Sequence, residues 1–233
     1  MIYCCSDIHG EYDKYLELIK KINLKEEDTL FILGDVIDRG SKSIELLQDM
    51  MYRANVIPIL GNHEYAAIQM LPLLMQEITK ESISKLDEEF VQGVIEWLNI
   101  GGQSTIDGFK KLSKDEQKDI IEYLKEFSLY EEVRVNNKDY ILVHAGLSNF
   151  SPERKLSDYE LYELIFERAE YYLTYFKDKF LVTGHTPTRY IEDNTKPNFI
   201  YKGNNHIAID CGAISGGQLA AICLDTGEEF YVK

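Results

Sequence analysis

The first sixty residues alternate between short apolar runs and amphipathic stretches. The apolar runs at 1–5, 29–33 and 56–60 are predicted to form buried strands, since each is short and is followed by polar residues and glycine. Between them, apolar side chains recur at helical spacing, at Tyr15, Leu18, Ile19 and Ile22 in the first stretch and at Ile44, Leu47 and Met51 in the second. This alternation of strand and helix predicts a parallel core sheet.

The pattern changes at about residue 65. From there to about residue 130, charge-rich helical periods dominate and no strand pattern is seen. We predict that residues 65–130 form a helical insertion or cap near the functional site, within a single domain that spans residues 1–233. The excess of acidic side chains in this region is typical of a solvated face.

Strand patterns return after residue 130. They predict strands at 133–135, 140–143, 180–183, 206–210, 219–224 and 229–232. The first two are expected to form a hairpin that turns at Asn136-Asn137. A helix is predicted from Ser157 to Tyr171, and it carries Arg168. Because these strands follow one another late in the chain, we predict a second, mixed or antiparallel sheet that packs on the first, and hence an α/β fold.

Composition limits the partners of the chain more than its fold. The 233 residues carry a formal net charge of −15, which disfavours general binding to nucleic acid or to an anionic membrane. No apolar run has the length of a membrane span and the first residues lack a signal-peptide pattern, so a cytoplasmic location is predicted. The four cysteines show no metal-finger spacing and are predicted to be buried thiols: Cys4, Cys5, Cys211 and Cys223.

Polar side chains with metal-binding chemistry follow the predicted strands. Four of the five histidines stand just after an apolar run and near glycine: His9, His63, His144 and His185. Two carboxylates and an amide accompany them: Asp7, Asp35 and Asn62. Imidazole, carboxylate and amide oxygen are ligands that suit divalent cations. The alternative, that each histidine is an isolated hydrogen-bonded side chain, explains the shared position of all four poorly.

The arrangement of these residues predicts two metal ions. Asp7 and His9 can turn toward one ion from the same loop, and Asp35 comes from the adjacent strand end, where it can bridge both ions. The second ion would be completed by Asn62, His144 and His185. Two aspartate charges leave a surplus on two divalent ions for a hydroxide and a phosphate. Such ions, about 3.5–4 Å apart, would activate a shared water and clamp an in-line displacement.

Two further groups are predicted to act on the substrate. His63 is interpreted as a general acid that Asp38 orients and charges, because a carboxylate partner favours the imidazolium form. The alternative, in which His63 is a ligand and Asn62 only a turn residue, stays open. Arg39 is predicted to hold phosphate oxygens through its planar guanidinium. Arg168 is a second candidate for this contact, although a solvent-facing helix arginine has the same spacing.

Five motifs follow one another along nearly the whole chain. They are Ser6-Asp7-Ile8-His9-Gly10, Gly34-Asp35-Val36-Ile37-Asp38-Arg39-Gly40, Gly61-Asn62-His63-Glu64, His144-Ala145-Gly146 and Gly184-His185-Thr186-Pro187. In this order they resemble the phosphoprotein phosphatase family of calcineurin-like metallophosphoesterases, and most closely its compact bacterial and phage members. The resemblance implies a two-sheet α/β sandwich flanked by helices, with the same ligand, acid and phosphate-binding residues as above. It also implies a dinuclear site that usually works with manganese, with iron, zinc, nickel and cobalt as other metals.

Two positions depart from the family pattern. Ser6 stands where the family usually has glycine, at the start of the first motif. Phe166 stands where relatives commonly have tryptophan, two residues before Arg168. The sequence around Arg168 therefore matches that of the family's second phosphate arginine less closely than the motif around Arg39 matches that of the first.

Three other features are interpreted as structural or peripheral. Glu64 is expected to support the loop at a helix start, and His206 to begin a strand, and neither is predicted as a ligand. Gly101-Gly102 resembles a Gly-Gly element in the cap region of bacterial relatives and is a candidate border of the substrate groove, although an ordinary turn explains it equally.

The predicted activity is hydrolysis of phosphate monoesters by metal-activated water, without a covalent intermediate. Phosphoserine or phosphothreonine in proteins is the expected substrate class, with small phosphate esters as further substrates. The alternative enzyme is a symmetrical dinucleoside tetraphosphate hydrolase. A metal-stabilised binding module without turnover is the alternative of another class, and the presence of every ligand and of His63 disfavours it. No nucleic-acid or membrane partner is predicted.

Overall fold

The computed structural model describes residues 1–75 and 88–233, in which two β-sheets are surrounded by helices. The strands are β1 (Ile2–Cys5), β2 (Thr29–Leu33), β3 (Val56–Ile59), β4 (Tyr130–Val135), β5 (Lys138–Val143), β6 (Lys179–Thr183), β7 (Tyr201–Gly203), β8 (His206–Ala208), β9 (Leu219–Cys223) and β10 (Glu229–Val232). The α-helices are α1 (Tyr12–Ile22), α2 (Ser43–Met51), α3 (Asn62–Leu74), α4 (Glu88–Ile100), α5 (Gln103–Phe109), α6 (Lys114–Lys125) and α7 (Leu161–Ile165). Within the described ranges, no helix combines the length and apolar character needed to cross a membrane.

The first sheet has the strand order β10-β9-β1-β2-β3. Strands β1, β2 and β3 are parallel, as the strand–helix alternation predicts, whereas β9 runs antiparallel to β1 and β10 antiparallel to β9. The prediction that these last two strands belong to the second sheet is wrong. All five residues of β9 are buried, and an entirely apolar strand is stable inside a sheet that is covered on both faces. Ala221 packs on one side of this sheet and Ile222 on the other.

The second sheet has the strand order β4-β5-β6-β8-β7, in which β5, β6 and β8 are parallel. The predicted hairpin between β4 and β5 is present, whereas the three-residue strand β7 was not predicted. One face of this sheet packs on the first sheet through a shared apolar core, to which Leu142 and Val182 contribute from the second sheet and Phe31 and Leu33 from the first. The predicted two-sheet α/β sandwich is therefore confirmed.

Helices cover the other face of the first sheet. Leu18 of α1 and Leu47 of α2 are fully buried in a core that also contains Cys5 and Ile32 of the sheet. Helices α3 to α6 lie in the region where the sequence predicts a helical insertion, of which residues 76–87 lie outside the described residues. All four cysteines are free and buried, as predicted.

The helix predicted to carry Arg168 is shorter than expected. Helix α7 covers only part of the predicted range 157–171, and Arg168 lies beyond its end in an irregular segment. The Leu164 carbonyl, which a continuing helix would offer to the N–H of Arg168, instead accepts a hydrogen bond from the N–H of Ala145 at 2.9 Å. Competition from the loop after β5 therefore ends this helix.

His206 begins β8, as predicted, and is buried inside the second sheet. Its Nε2 lies 2.9 Å from the Thr183 hydroxyl, and its ring stacks on Tyr171 with a centroid separation of 4.8 Å. Burial lowers the pKa of His206 to about 3. The folded chain therefore keeps this imidazole neutral at pH values where an exposed histidine is charged.

We expect His206 to contribute to acid sensitivity. The unfolded chain binds a proton here near the ordinary pKa of 6.5, whereas the folded chain does so only near pH 3. The contribution to stability is therefore full above pH 6.5 and is lost as the pH falls toward 3. Between pH 7 and 4.5, the free energy of unfolding should fall by about 2 kcal/mol more in the wild type than in His206→Asn. Urea denaturation followed by circular dichroism measures this, and parallel pH profiles would contradict it.

Candidate active site

The polar loops singled out in the sequence meet at one edge of the sandwich. The loops after β1 and β2 are joined by a hydrogen bond from the His9 N–H to the Asp35 carbonyl at 2.9 Å. The loops after β5 and β6 are joined by one from the Gly184 N–H to the His144 carbonyl at 2.8 Å. The carboxyl ends of parallel strands from both sheets thus bring the residues that follow them together.

Asp35 lies in the middle of this edge, and its two carboxylate oxygens face different groups of side chains. Oδ1 is 3.4 Å from His144 Nε2, whereas Oδ2 is 3.7 Å from His9 Nε2 and 3.8 Å from His63 Nε2. Two clusters of candidate metal donors therefore share Asp35, one with His9 and His63 and the other with His144 and His185. Within each cluster the donor atoms lie within 4.8 Å of one another. This is the position that a bridging carboxylate requires.

His144 is the centre of the second cluster. Its Nε2 lies 3.1 Å from Asn62 Oδ1 and 3.1 Å from His185 Nδ1. Its Nδ1 donates a hydrogen bond to the Leu33 carbonyl at 2.7 Å. That bond leaves the lone pair on Nε2, as a metal-binding imidazole needs. The structure therefore brings together the three residues predicted to complete the second ion.

The first cluster already faces a positive charge. His9 Nδ1 donates to the Ile37 carbonyl at 3.0 Å, so its Nε2 turns toward the cleft with a free lone pair. The guanidinium of Arg39 donates to Nε2 of His9 at 2.8 Å and to Nε2 of His63 at 3.0 Å. The Nε2 atoms of His9 and His63 therefore face the same guanidinium. This position of His63 agrees both with a general acid and with a metal ligand.

Asp7 lies beside the clusters, at the same cleft. Its carboxylate accepts a hydrogen bond from the backbone N–H of His185 at 3.0 Å. Burial, with the neighbouring Asp210 as the next cause, raises the pKa of Asp7. Burial, with Asp7 as the next cause, raises that of Asp35. Carboxylates buried this closely favour a cation among them.

Asp210 is a cleft residue that the sequence analysis missed. It is buried, it lines the cleft with Asp7, and burial raises its pKa to about 6. Its backbone carbonyl accepts a hydrogen bond from the Thr188 N–H at 2.8 Å. The signal that could have found it is the one that marks Asp7 and Asp35, a carboxylate at the carboxyl end of an apolar run.

Asp38 is held by three side-chain donors. Its Oδ2 accepts hydrogen bonds from His63 Nδ1 and Trp97 Nε1, both at 2.7 Å, and its Oδ1 accepts one from the Thr105 hydroxyl at 2.5 Å. Burial raises the pKa of Asp38 to about 6. Burial, followed by the charge of Arg39, lowers the pKa of His63 to about 3. The contact with Asp38 therefore fixes the orientation of the His63 ring, and the charging of His63 by Asp38 stays a prediction.

The helical region also holds Arg39. The Arg39 N–H donates to the Gly101 carbonyl at 3.0 Å, and Arg39 Nε donates to the Ile100 carbonyl at 3.2 Å. Gly101 has a φ of 114°, and a Cβ there would lie 2.6 Å from the Arg39 side chain. Both conformation and space therefore require glycine. The Gly101-Gly102 element borders the site, and Trp97 and Thr105 on either side of it reach Asp38.

Glu64 holds the loop after β2, as the sequence analysis expects. One carboxylate oxygen accepts hydrogen bonds from the N–H groups of Asp35 at 2.8 Å and Gly61 at 3.0 Å. The other accepts from those of Val36 at 2.8 Å and Ile37 at 3.2 Å. Burial raises the pKa of Glu64 to about 7. Its oxygens are thus committed to the backbone and do not face the donor clusters.

Several residues at this edge adopt left-handed backbone conformations. They are Asp7, His9, Asp35, Asp38, Arg39 and His185, with φ between 48° and 72°. Such a conformation costs a non-glycine residue about 1–2 kcal/mol. It persists where the surrounding structure imposes it, and it is concentrated at functional sites.

Side chains of both clusters, namely Asp35, His63 and His185, line the floor of a cleft of about 230 Å³. Arg39 and Arg168 both line it, together with Asn62 and His63. Arg168 is exposed and has no hydrogen-bond or ion-pair partner within the part of the chain that the structure describes. Burial, followed by the charge of Arg168, lowers the pKa of His185 to about 4. The structure therefore brings Arg168 to the predicted site although it does not lie on a helix.

A profile of calcineurin-like phosphoesterases matches residues 1–212. The chain belongs to the calcineurin-like phosphoesterase family. Among curated relatives is the asymmetrical bis(5′-nucleosyl)-tetraphosphatase PrpE of Bacillus subtilis (strain 168). It is 28% identical to this chain over an alignment of 239 positions, which covers 92% of this chain and 86% of the relative. The chain is accordingly a phosphoester hydrolase.

Solved structures show the same fold at low sequence identity. A structure described as a proposed diadenosine tetraphosphatase has a TM-score of 0.66 at 17% identity. The superposition covers 99% of this chain and 92% of that structure's chain. A protein serine/threonine phosphatase from Saccharomyces cerevisiae has a TM-score of 0.58 at 16% identity, with 100% and 80% covered. These likenesses show the fold alone. The family profile confirms the predicted superfamily, whereas the narrower assignment to phosphoprotein phosphatases is not shown.

This phosphoesterase has a donor set that fits the dinuclear metal site of its family. Burial lowers the pKa of His9 and of His144 well below the usual range, so both imidazoles keep a free lone pair. The shared carboxylate of Asp35 and the carboxylate of Asp7 supply negative charge, and the guanidinium of Arg39 shows that a cation is accommodated among these donors. Manganese stays a prediction from the family resemblance.

We expect Asp35 to be required for both metal ions, because each of its oxygens faces one cluster. After manganese loading and dialysis, the wild type should retain about two ions per chain. Asp35→Ala should retain fewer than one, and His144→Ala about one, as measured by inductively coupled plasma mass spectrometry. His206→Asn is the matched histidine control and should retain the wild-type content. Full metal content in Asp35→Ala would rule out a bridging role.

A second variant distinguishes the two interpretations of His63. If His63 transfers a proton, His63→Ala should lower kcat by about 10²–10⁴-fold while the metal content stays unchanged. The comparison uses manganese-loaded protein, with activity and bound metal measured on the same sample. Loss of an ion in this variant would instead identify His63 as a ligand.

Proposed function

We propose that this phosphoesterase hydrolyses dinucleoside tetraphosphates and cleaves them asymmetrically. The observation that carries the proposal is the pairing of Arg39 and Arg168 in one cleft whose floor is made of metal-donor side chains. The B. subtilis relative supports it, since its name describes such an enzyme and its similarity extends over nearly the whole chain.

The charges of the cleft suit a chain of phosphates. The protein is acidic overall, with a formal net charge of −15, yet two guanidinium groups face this floor. Arg39 has a planar fork of donors that matches two phosphate oxygens. Arg168 is exposed at the same cleft and can neutralise a neighbouring phosphate. The one phosphate of a phosphoserine can contact both cations, whereas a tetraphosphate bridge also offers them the oxygens of neighbouring phosphates.

Bound divalent ions would stabilise charge on phosphoryl oxygens and acidify water in the cleft. They would be held by Asp7, His9, Asp35, Asn62, His144 and His185. The protein's own part is to position the phosphates and to hold a proton. Arg39 can turn the N–H groups that now face His9 and His63 toward phosphate oxygens.

His63 supplies the proton in this proposal. Its Nδ1 keeps a proton against Asp38 at 2.7 Å, while its Nε2 faces the cleft. The charge of Arg39 contributes to its low pKa. A phosphate beside Nε2 would counter that charge and favour protonation. Protonated at both nitrogens, His63 can donate from Nε2 to the leaving oxygen.

The helical region takes part in this site through its contacts with Asp38 and Arg39. We propose that residues 65–130 act as a cap within a single domain of residues 1–233. Trp97, Gly101 and Thr105 carry this proposal, because each forms a hydrogen bond with a residue of the loop after β2.

The proposal differs from the first interpretation of the sequence. A serine/threonine phosphatase cleaves a monoester, whereas a tetraphosphate is cleaved at a phosphoanhydride bond between two phosphorus atoms. The yeast phosphatase shares the fold alone with this chain. Symmetrical cleavage, the alternative from the sequence, would break the central bond and give two identical diphosphates.

We expect manganese-loaded protein to convert diadenosine tetraphosphate into equal amounts of ATP and AMP, as resolved by ion-exchange chromatography. Its kcat/KM should exceed that for a phosphoserine peptide by about 100-fold, because the linked phosphates of the tetraphosphate give Arg39 and Arg168 more anionic oxygens to hold in the transition state than the single phosphate of the peptide does. Protein treated with a chelator is the negative control.

Three outcomes would contradict this expectation. ADP as the sole product would establish symmetrical cleavage. Faster turnover of the phosphoserine peptide would favour the protein phosphatase. Equal activity after exhaustive chelation would exclude the metal-dependent reaction.

A further inference from the structure

An exposed tyrosine lies on the rim of the cleft. Tyr190 keeps 64% of its surface exposed, and it lines the cleft together with the metal-donor side chains. Three other tyrosines of the described residues are strongly exposed but do not line this cleft: Tyr52, Tyr162 and Tyr172. Tyr190 therefore offers a large apolar surface beside a floor of charged and polar groups.

The backbone that carries Tyr190 is held in place by hydrogen bonds, and one neighbour contacts its ring. Tyr190 ends a short 3₁₀ turn directly after the His185 motif, and the first residue of that turn, Thr188, donates its N–H to the Asp210 carbonyl at 2.8 Å. The guanidinium of Arg189 lies 5.5 Å from the centroid of the Tyr190 ring and donates to the Ser215 carbonyl at 2.8 Å. The fold therefore sets the position of Tyr190 at the rim, and its exposed ring is open to a ligand that stacks on it.

The cleft cannot enclose a whole nucleotide. Its volume of about 230 Å³ lies below the roughly 300–1,000 Å³ of pockets that bury a drug-sized ligand. Its floor consists of carboxylates and imidazoles and is faced by Arg39 and Arg168, which suits phosphate groups and not an apolar ring. An aromatic group attached to those phosphates must lie at the rim, where Tyr190 is.

We propose that Tyr190 stacks on a nucleobase of the dinucleoside polyphosphate and so determines specificity for nucleotides over phosphopeptides. The inference rests on the proposed function. Every base presents a flat π-face, so one exposed ring recognises a nucleotide without distinguishing its base. Arg39 and Arg168 hold the phosphates in the cleft. Tyr190 at the rim distinguishes a phosphate chain that carries a nucleoside from a phosphate that carries a peptide.

Two ligands that differ only in the adenosine test the proposal. ATP and inorganic tripolyphosphate are compared as competitive inhibitors of manganese-loaded wild type, Tyr190→Ala and Tyr190→Phe. Tyr190→Ala should raise the inhibition constant of ATP and the KM of diadenosine tetraphosphate by about 5- to 100-fold. The inhibition constant of tripolyphosphate should change less than about twofold, and Tyr190→Phe should restore wild-type values because it keeps the ring.

The control is Tyr52→Ala, which removes an exposed tyrosine that does not line the cleft. All its constants should equal those of the wild type. The proposal is overturned if Tyr190→Ala leaves ATP inhibition unchanged, if it weakens tripolyphosphate equally, or if Tyr190→Phe behaves like Tyr190→Ala.

The same experiment separates this inference from the proposed function. If the wild type does not hydrolyse diadenosine tetraphosphate, the proposed function fails. The inhibition constants can then be measured against turnover of p-nitrophenyl phosphate. A selective loss of ATP binding in Tyr190→Ala would still support base stacking, and its absence would exclude it.

Discussion

Glu64 joins the loop after β2 to the first turn of α3, and the candidate site depends on that connection. Its carboxylate accepts N–H groups from Asp35, Val36 and Ile37 on one side and from Gly61 on the other. The left-handed backbone at Asp35 is strained in isolation, and these hydrogen bonds offset its cost. Since Asp35 lies in the loop and the neighbouring donors lie at the start of α3, one buried carboxylate sets the distance between them.

The two-sheet architecture completes what this connection begins. The first sheet presents His9 and Asp35, whereas the second presents His144 and His185, and the strand ends meet because the sheets share an apolar core. His144 donates from Nδ1 to the Leu33 carbonyl of the opposite sheet at 2.7 Å. This bond both joins the sheets and turns the other nitrogen toward Asp35. The hydrogen bond between His144 and Leu33 therefore contributes both to the packing of the two sheets and to the orientation of a candidate metal ligand.

Burial explains why the site favours cations and how the helical region contributes. The pKa of each buried carboxylate at this edge is raised, and the pKa of each buried imidazole is lowered, so a nearby positive charge stabilises the ionised acids without competition from protonated histidines. Trp97 and Thr105 complete the environment of Asp38, and Gly101 holds Arg39. The positions of Asp38 and Arg39 thus depend on helices that are distant in sequence.

The sequence by itself determined the strand–helix alternation, the two-sheet class and the residues gathered at the strand ends, because hydrophobic period and local motif are properties of short stretches. Tertiary structure alone decided the end of α7, where the Ala145 N–H takes the Leu164 carbonyl, and the placement of β9 beside β1. It also decided that Tyr190 and Asp210 line the cleft. Hydrogen-bond competition, burial and exposure depend on partners far along the chain, and no local pattern encodes them.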